Sequence, residues 1–252
     1  MSLPLLLAFL GLIAFGAYVQ TVTGFAFGLI VMGGVGLSGA VPLPDAAVVV
    51  SLLVLVNAAQ ILWRNWRSAF NRELWLVLAS SLPTLIASYA LLEWLAADNL
   101  DLLRIALGAV ILFAAVQLVL PGAALAQRSG DGSFVLAGVA GGILSGLFAT
   151  SGPPLVYHMY RQPFPIQRIR ETLVAIFAVN SVFRVGVVTT SGNLSSSVLW
   201  LAALALPSVA GATWFARRWP PSLSPRTMRR LVFLLLALSG LSLALPALVK
   251  LV

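Results

Sequence analysis

The chain has no cysteine, one histidine, one lysine and only seven acidic residues among 252. Without cysteine there can be no disulfide, thiolate catalysis or Cys-ligated metal, and a lone histidine argues against a multi-histidine centre. The acids are scattered singly, which leaves out paired catalytic carboxylates and acidic metal clusters. No Walker-type loop is present to hold a nucleotide, so neither cofactor nor metal is expected. Charge is scarce altogether, at 9% of residues against about 25% in soluble proteins. Alternating ten-residue strands are missing too, which removes the transmembrane β-barrel.

What fills the chain is apolar surface, at 60% of residues. Segments of about 20 apolar residues, enough to cross roughly 30 Å of hydrocarbon, follow one another with no room for a soluble domain. They fall at about 3–37, 43–62, 74–96, 103–120, 134–160, 169–190, 194–215 and 227–251. Lipid offers the backbone no partner, so each is read as helix, in an all-α, multi-pass protein of the cell (inner) membrane. Met1-Ser2-Leu3-Pro4 lacks the basic residues that precede a signal-peptide core, and the first segment is read as retained. The net charge of +8 is not a nucleic-acid footprint, because the arginines sit mainly in short gaps between apolar segments.

Two segments differ from the rest. The first is interrupted at Gln20-Thr21-Val22-Thr23-Gly24-Phe25 and the fifth at Thr150-Ser151-Gly152-Pro153-Pro154. Two consecutive prolines remove two backbone donors and break a continuous helix. Each broken segment precedes a helix with a central asparagine, Asn57 or Asn180. Overlaying Thr23-Gly24 on Ser151-Gly152 suggests a duplication of residues 1–120 by residues 134–252, joined by a polar cytoplasmic linker at 121–133.

Charge sets the orientation of the halves. The gaps 64–73, 161–171 and 216–230 carry Arg64, Arg67, Arg72, Arg161, Arg168, Arg170, Arg217, Arg218, Arg226, Arg229 and Arg230. The gap 97–102 carries Asp98 and Asp101, so the basic gaps are expected inside and the acidic one outside. The fifth segment must then start and end inside, as a hairpin bent at Ser151–Pro154. The halves become inverted repeats, each a broken or re-entrant hairpin followed by three transmembrane helices. Both termini fall outside.

Inverted repeats with broken helices are a transporter architecture, in which substrate binds near the midplane where half-helix ends meet. A half-helix starting near Gly24 or Pro154 points backbone N–H groups and a positive dipole end at its ligand, so a small anion is the natural occupant. Thr21, Thr23, Thr150 and Ser151 would add hydroxyls beside Phe25, Gly152 and Pro153. The alternative is that the glycines only let helices pack closely, as in Gly24-x-x-x-Gly28. Arg184 is the one charge well inside an apolar run. It reads either as an attractor of anions or as a residue snorkelling to the interface beyond Thr190. Asn57 and Asn180 line the substrate or bond a neighbouring helix. His158 relays protons or is merely wetted at the membrane boundary.

Gly142-Ile143-Leu144-Ser145-Gly146 resembles the Gly-x-Ser-Gly of rhomboid proteases, but its spacing is one residue too long and the only histidine stands on the same segment. The chain is not read as an enzyme.

Thr23-Gly24-Phe25-Ala26-Phe27-Gly28, running into Gly33-Gly34, and Gly141 through Pro154 in the second half together resemble the TauE/SafE family. Family members often carry a denser glycine run at the first break than Val22 to Phe27. The resemblance implies a secondary transporter of small, often sulfur-containing anions such as sulfite or sulfonates, and the paired broken helices favour alternating access around a site between them. A passive anion channel and a scaffolding membrane subunit remain the rival readings. Partners are then the anion and the lipid bilayer, with a homodimer left open. The charge pattern predicts that a reporter fused after residue 252, active only in the cytoplasm, stays silent; activity there would overturn the inverted topology.

Overall fold

The computed structural model describes residues 3–63, 66–119, 124–219 and 225–251. Arg64 and the side chains of Asp98, Arg226, Arg229 and Arg230 lie outside the described residues. The chain is all helical: α1 (Leu3–Thr23), α2 (Phe27–Ser38), α3 (Leu43–Leu62), α4 (Trp66–Ala69), α5 (Arg72–Asp98), α6 (Leu100–Val119), α7 (Asp131–Phe148), α8 (Gly152–Tyr160), α9 (Ile166–Thr190), α10 (Ser196–Arg218) and α11 (Pro225–Leu251). Among the described residues seven helices, α1, α3, α5, α6, α7, α9 and α10, are long and apolar enough to cross a bilayer.

The seven tryptophans mark where lipid meets water. All are exposed, between 52% and 80%, as side chains of an interfacial aromatic belt are. Trp75 and Trp94 lie near opposite ends of α5, and Trp200 and Trp219 near opposite ends of α10. Each pair is separated by about 28 Å of helix rise, the thickness of a hydrocarbon core.

Both segments expected to break do so, at shifted positions. The first stays helical through Gln20 to Thr23 and turns at Gly24–Ala26, because the threonines return their hydroxyls to their own helix: Thr21 to Ala17 O at 2.7 Å and Thr23 to Val19 O at 2.8 Å. In the fifth, the turn is Ala149–Ser151, and Pro153 and Pro154 belong to the first turn of α8. Helix N–H groups have no carbonyl partner there in any case, so proline starts a helix as readily as it stops one. Gly24 and Ala149, each the first residue past its helix, are left-handed. The asparagine lies 33 residues beyond Gly24 and 31 beyond Ala149, a closer match than the overlay on Gly152.

Packing is paired throughout. α5 lies along α7 as α10 lies along α1, while α3 packs on α9 and α6 on α11. The α5–α7 contact is close because Gly138, Gly142 and Gly146 of α7 face small residues of α5. Ser88 donates across it to Gly142 O at 3.3 Å and Thr84 to Val139 O at 3.3 Å, polar contacts that hold helices together in lipid.

At the arginine-rich end, Glu73 is buried and accepts from Arg128 at 2.8 Å and Arg168 at 2.7 Å. Arg128 also meets Asp131 at 2.9 Å, so α5, the linker, α7 and α9 are tied at one face. The hydrogen bond to Glu73, with that to Asp131, holds the Arg128 guanidinium even further above its usual range. A Cβ at position 142 would sit 2.7 Å from Ser81 Cα, which is backbone and cannot step aside. Gly142→Leu should therefore cost about 1–3 kcal/mol, measured as a lowered unfolding temperature in detergent, whereas Gly211→Leu, with open space around it, should not.

Candidate functional site

The two helix breaks face each other across a small cavity of ≈ 20 Å³. Gln20, Ala26 and Gly28 form one wall, and Ser145 with Ala149 to Gly152 the other. Val54, Phe177 and Ser181 close it. A Cβ on Gly28 would meet Thr150 Cβ at 3.1 Å, so the first turn of α2 rests directly on the second break.

Ala26 and Ala149, which flank the cavity, hold positive φ angles of 83° and 54° that L-residues rarely adopt. Ala26 falls within the stretch where the family often has a denser glycine run, so the departure visible in the sequence is a strained residue in the structure.

A directed chain of hydrogen bonds positions the first wall. Phe27 N–H donates to Gln20 Oε1 at 3.2 Å, which fixes the amide, and Gln20 Nε2 then donates to Asn57 Oδ1 at 3.0 Å. Asn57 Nδ2 in turn donates to Thr21 Oγ1 at 3.0 Å and Thr213 Oγ1 at 2.8 Å. The freed N-terminal N–H of α2 is thus satisfied by side chains of α1 and α3, as lipid requires. In the second wall Asn180 Nδ2 donates to Ser151 Oγ at 3.0 Å, and Ser81 Oγ donates to Asn180 Oδ1 at 3.1 Å. Since Ser151 Oγ accepts, its own proton is left to point elsewhere.

The hydroxyls of Ser145, Thr150 and Ser181 make no hydrogen bond among the described residues, although each residue is at most 8% exposed. These hydroxyls open onto the cavity, where water or a ligand can take up their hydrogen bonds. The cavity lining carries several donors and no carboxylate. α8 contributes little from its backbone, since Gly152 is the only residue with an N–H among its first three.

Arg184 is 1% exposed and does not snorkel. Its Nη1 donates to Ser145 O at 2.7 Å and to Gly146 O, capping the end of α7 behind the cavity wall. The guanidinium lies 5.5 Å from the Tyr89 ring centre.

Of the residues singled out from sequence, Thr150, Ser151 and Gly152 line the cavity. Asn57 and Asn180 stand behind it as braces, and Thr21 braces Asn57. Thr23, Gly24, Phe25 and Pro153 do not line it. Gly24 packs on Arg170, with Cγ 3.0 Å from a Cβ built there, and Thr23 O accepts from Tyr160 at 2.7 Å. Phe25 meets the Tyr160 ring edge-on at 6.5 Å. His158 lies outside the cavity, with Nε2 3.3 Å from Ser133 Oγ and its ring against Phe134. Gln20, Ser145 and Ser181 were missed, as were the braces Ser81 and Thr213. Gln20 alone had a signal, being a polar residue one turn before the break.

These features define a polytopic helical membrane protein with a donor-lined cavity at two helix breaks, the architecture of a transporter and not of a hydrolase. The family model "Sulfite exporter TauE/SafE" matches residues 7–243. The chain is also 43% identical over 250 residues, 98% of each protein, to the "Probable sulfite/organosulfonate exporter TauE" of Cupriavidus necator (strain ATCC 17699 / DSM 428 / KCTC 22496 / NCIMB 10442 / H16 / Stanier 337). No solved structure matches. The chain belongs to the TauE/SafE sulfite exporter family, a family of membrane transporters.

Gln20→Leu would leave Phe27 N–H unpaired in an apolar interior, a loss of about 1–3 kcal/mol. Thermal unfolding in detergent should register it, and combining it with Asn57→Leu should cost less than the sum of the two single changes.

Proposed function

We propose that the protein is a secondary carrier that exports small sulfur oxyanions, sulfite and organosulfonates, by alternating access around the cavity between the two breaks. The observation that carries this reading is the lining: uncommitted hydroxyls of Ser145, Thr150 and Ser181, the Ser151 hydroxyl turned outward by Asn180, and no carboxylate. Free hydroxyl protons with no carboxylate beside them favour an anion over a cation, and a fixed cage of neutral donors replaces its hydration shell. Arg184, one layer behind Ser145, adds attraction at longer range. The relative's printed name, a sulfite/organosulfonate exporter, agrees with the polarity of the cavity.

The two halves, residues 1–120 and 134–252, act as inverted repeats about this cavity, with 121–133 as their cytoplasmic linker. Reciprocal packing supports the repeat, α5 on α7 matching α10 on α1. So does the constant offset of 125 residues between Gly24 and Ala149, Trp75 and Trp200, and Trp94 and Trp219. Rocking one half against the other would open the cavity to each side in turn.

Ser151→Ala removes one neutral donor, about 0.5–1.5 kcal/mol, and should weaken sulfite and methanesulfonate binding alike by about threefold to tenfold. Isothermal titration in detergent checks this. In proteoliposomes a carrier exchanges labelled for unlabelled anion by counterflow; saturable flux without counterflow would convert the reading to a channel, and absence of any flux to a scaffold.

A further inference from the structure

The cavity accounts for Ser145 and Ser181 but leaves Arg184 half used. Only Nη1 is engaged, by the carbonyls of Ser145 and Gly146. Among the described residues Nε and Nη2 are buried with no hydrogen-bond partner, and no acidic side chain forms a salt bridge with Arg184. A cation inside an apolar bundle is expensive, and two idle buried donors on it call for a water or an anionic ligand. A guanidinium presents two N–H groups in a fork that fits two oxygens of one oxyanion.

Its position says when that visit occurs. Arg184 is one turn beyond Asn180 and Ser181 along α9, on the side away from the arginine-rich face. Tyr89, across from it on α5, accepts from Asn193 at 3.3 Å, and Asn193 also bonds Glu93 at the exposed end. From the cavity outward, Ser145 and Ser181 are followed by Arg184, which holds the Ser145 and Gly146 carbonyls and lies over the Tyr89 ring, and then by Asn193, which donates to the Tyr89 hydroxyl. Along the rest of α9, the side chains of Val182, Phe183 and Val185 offer an anion nothing.

We infer that Arg184 is a second anion station, distinct from the central cavity, which receives the oxyanion through Nε and Nη2 on its way to the outer face. Its engaged Nη1 holds the end of α7 while the free edge of the fork takes the ligand. The inference rests on the carrier reading, and it adds a site and a side of exit that this reading does not contain.

The absence of cysteine makes a single-thiol test clean. With Ser181→Cys as the only thiol, methanethiosulfonate reagents carrying either a sulfonate or a trimethylammonium are applied from the outer face, and their rates are divided by those with free cysteine. If the route passes Arg184, the anionic reagent should react at least about tenfold faster than the cationic one, the scale of charge focusing in a low-dielectric cleft. Arg184→Gln keeps a donor for the Ser145 and Gly146 carbonyls but removes the charge, and it should reduce that preference by about tenfold.

A preference that survives Arg184→Gln would make Arg184 a cap of α7 and nothing more. Labelling only from the arginine-rich face would likewise overturn the outward route while leaving the carrier intact. Labelling from neither face by either reagent would remove the cavity from any pathway, and the carrier reading with it. Should Arg184→Gln fail to fold, the normalised ratio with Arg184 in place still decides, since a value of one or below overturns the inference.

Discussion

Backbone cut open inside lipid must be satisfied by something, and the structure is arranged around two such cuts. Ending α1 at Thr23 and α7 at Phe148 frees carbonyls and N–H groups where no water is at hand. At the first cut the N–H of Phe27 is taken by Gln20, which is held by Asn57, which is held by Thr21 and Thr213. At the second, the carbonyls of Ser145 and Gly146 are taken by Arg184. The first repair joins α1, α2, α3 and α10, and the second joins α7 to α9.

The repairs are incomplete on the side facing the cavity, and that is where function enters. Gln20 both completes the backbone at Phe27 and forms part of the cavity wall, while Ser145, Thr150 and Ser181 face the space with uncommitted hydroxyls. The same asymmetry explains why asparagine occurs in both halves. One amide can accept from one helix and donate to another, so Asn57 and Asn180 each join elements around the cavity. A hydroxyl could not do both at that span.

Two left-handed alanines are part of the same arrangement. Ala26 and Ala149 sit where the chain reverses and where the walls of the cavity begin. Strain of this kind, of order 1–3 kcal/mol per residue, persists when the surroundings over-determine the backbone and is found where function needs a fixed shape. Here the surroundings are the tight α5–α7 pair on one side and the Gln20–Asn57 chain on the other.

Much of this was legible in the residues themselves. Apolar length located the helices, with α3 at Leu43–Leu62 falling where hydropathy places it, although eight apolar segments correspond to seven helices long and apolar enough to span among the described residues. Glycine and proline marked the broken segments, because only backbone chemistry is at stake there, and the motif around Gly152 carried the family. Tertiary structure decided the rest. Whether Thr21 and Thr23 face a ligand or their own helix depends on a turn of three residues, and Pro-Pro reads equally well as the stop of one helix or the start of the next. The partners of Arg184 lie 38 and 39 residues away along the chain, and that of Asn57 at Thr213 lies 156 away. No local pattern encodes which donors a fold uses up and which it leaves for an anion, because that depends on what packs opposite, and only the assembled bundle brings those groups together.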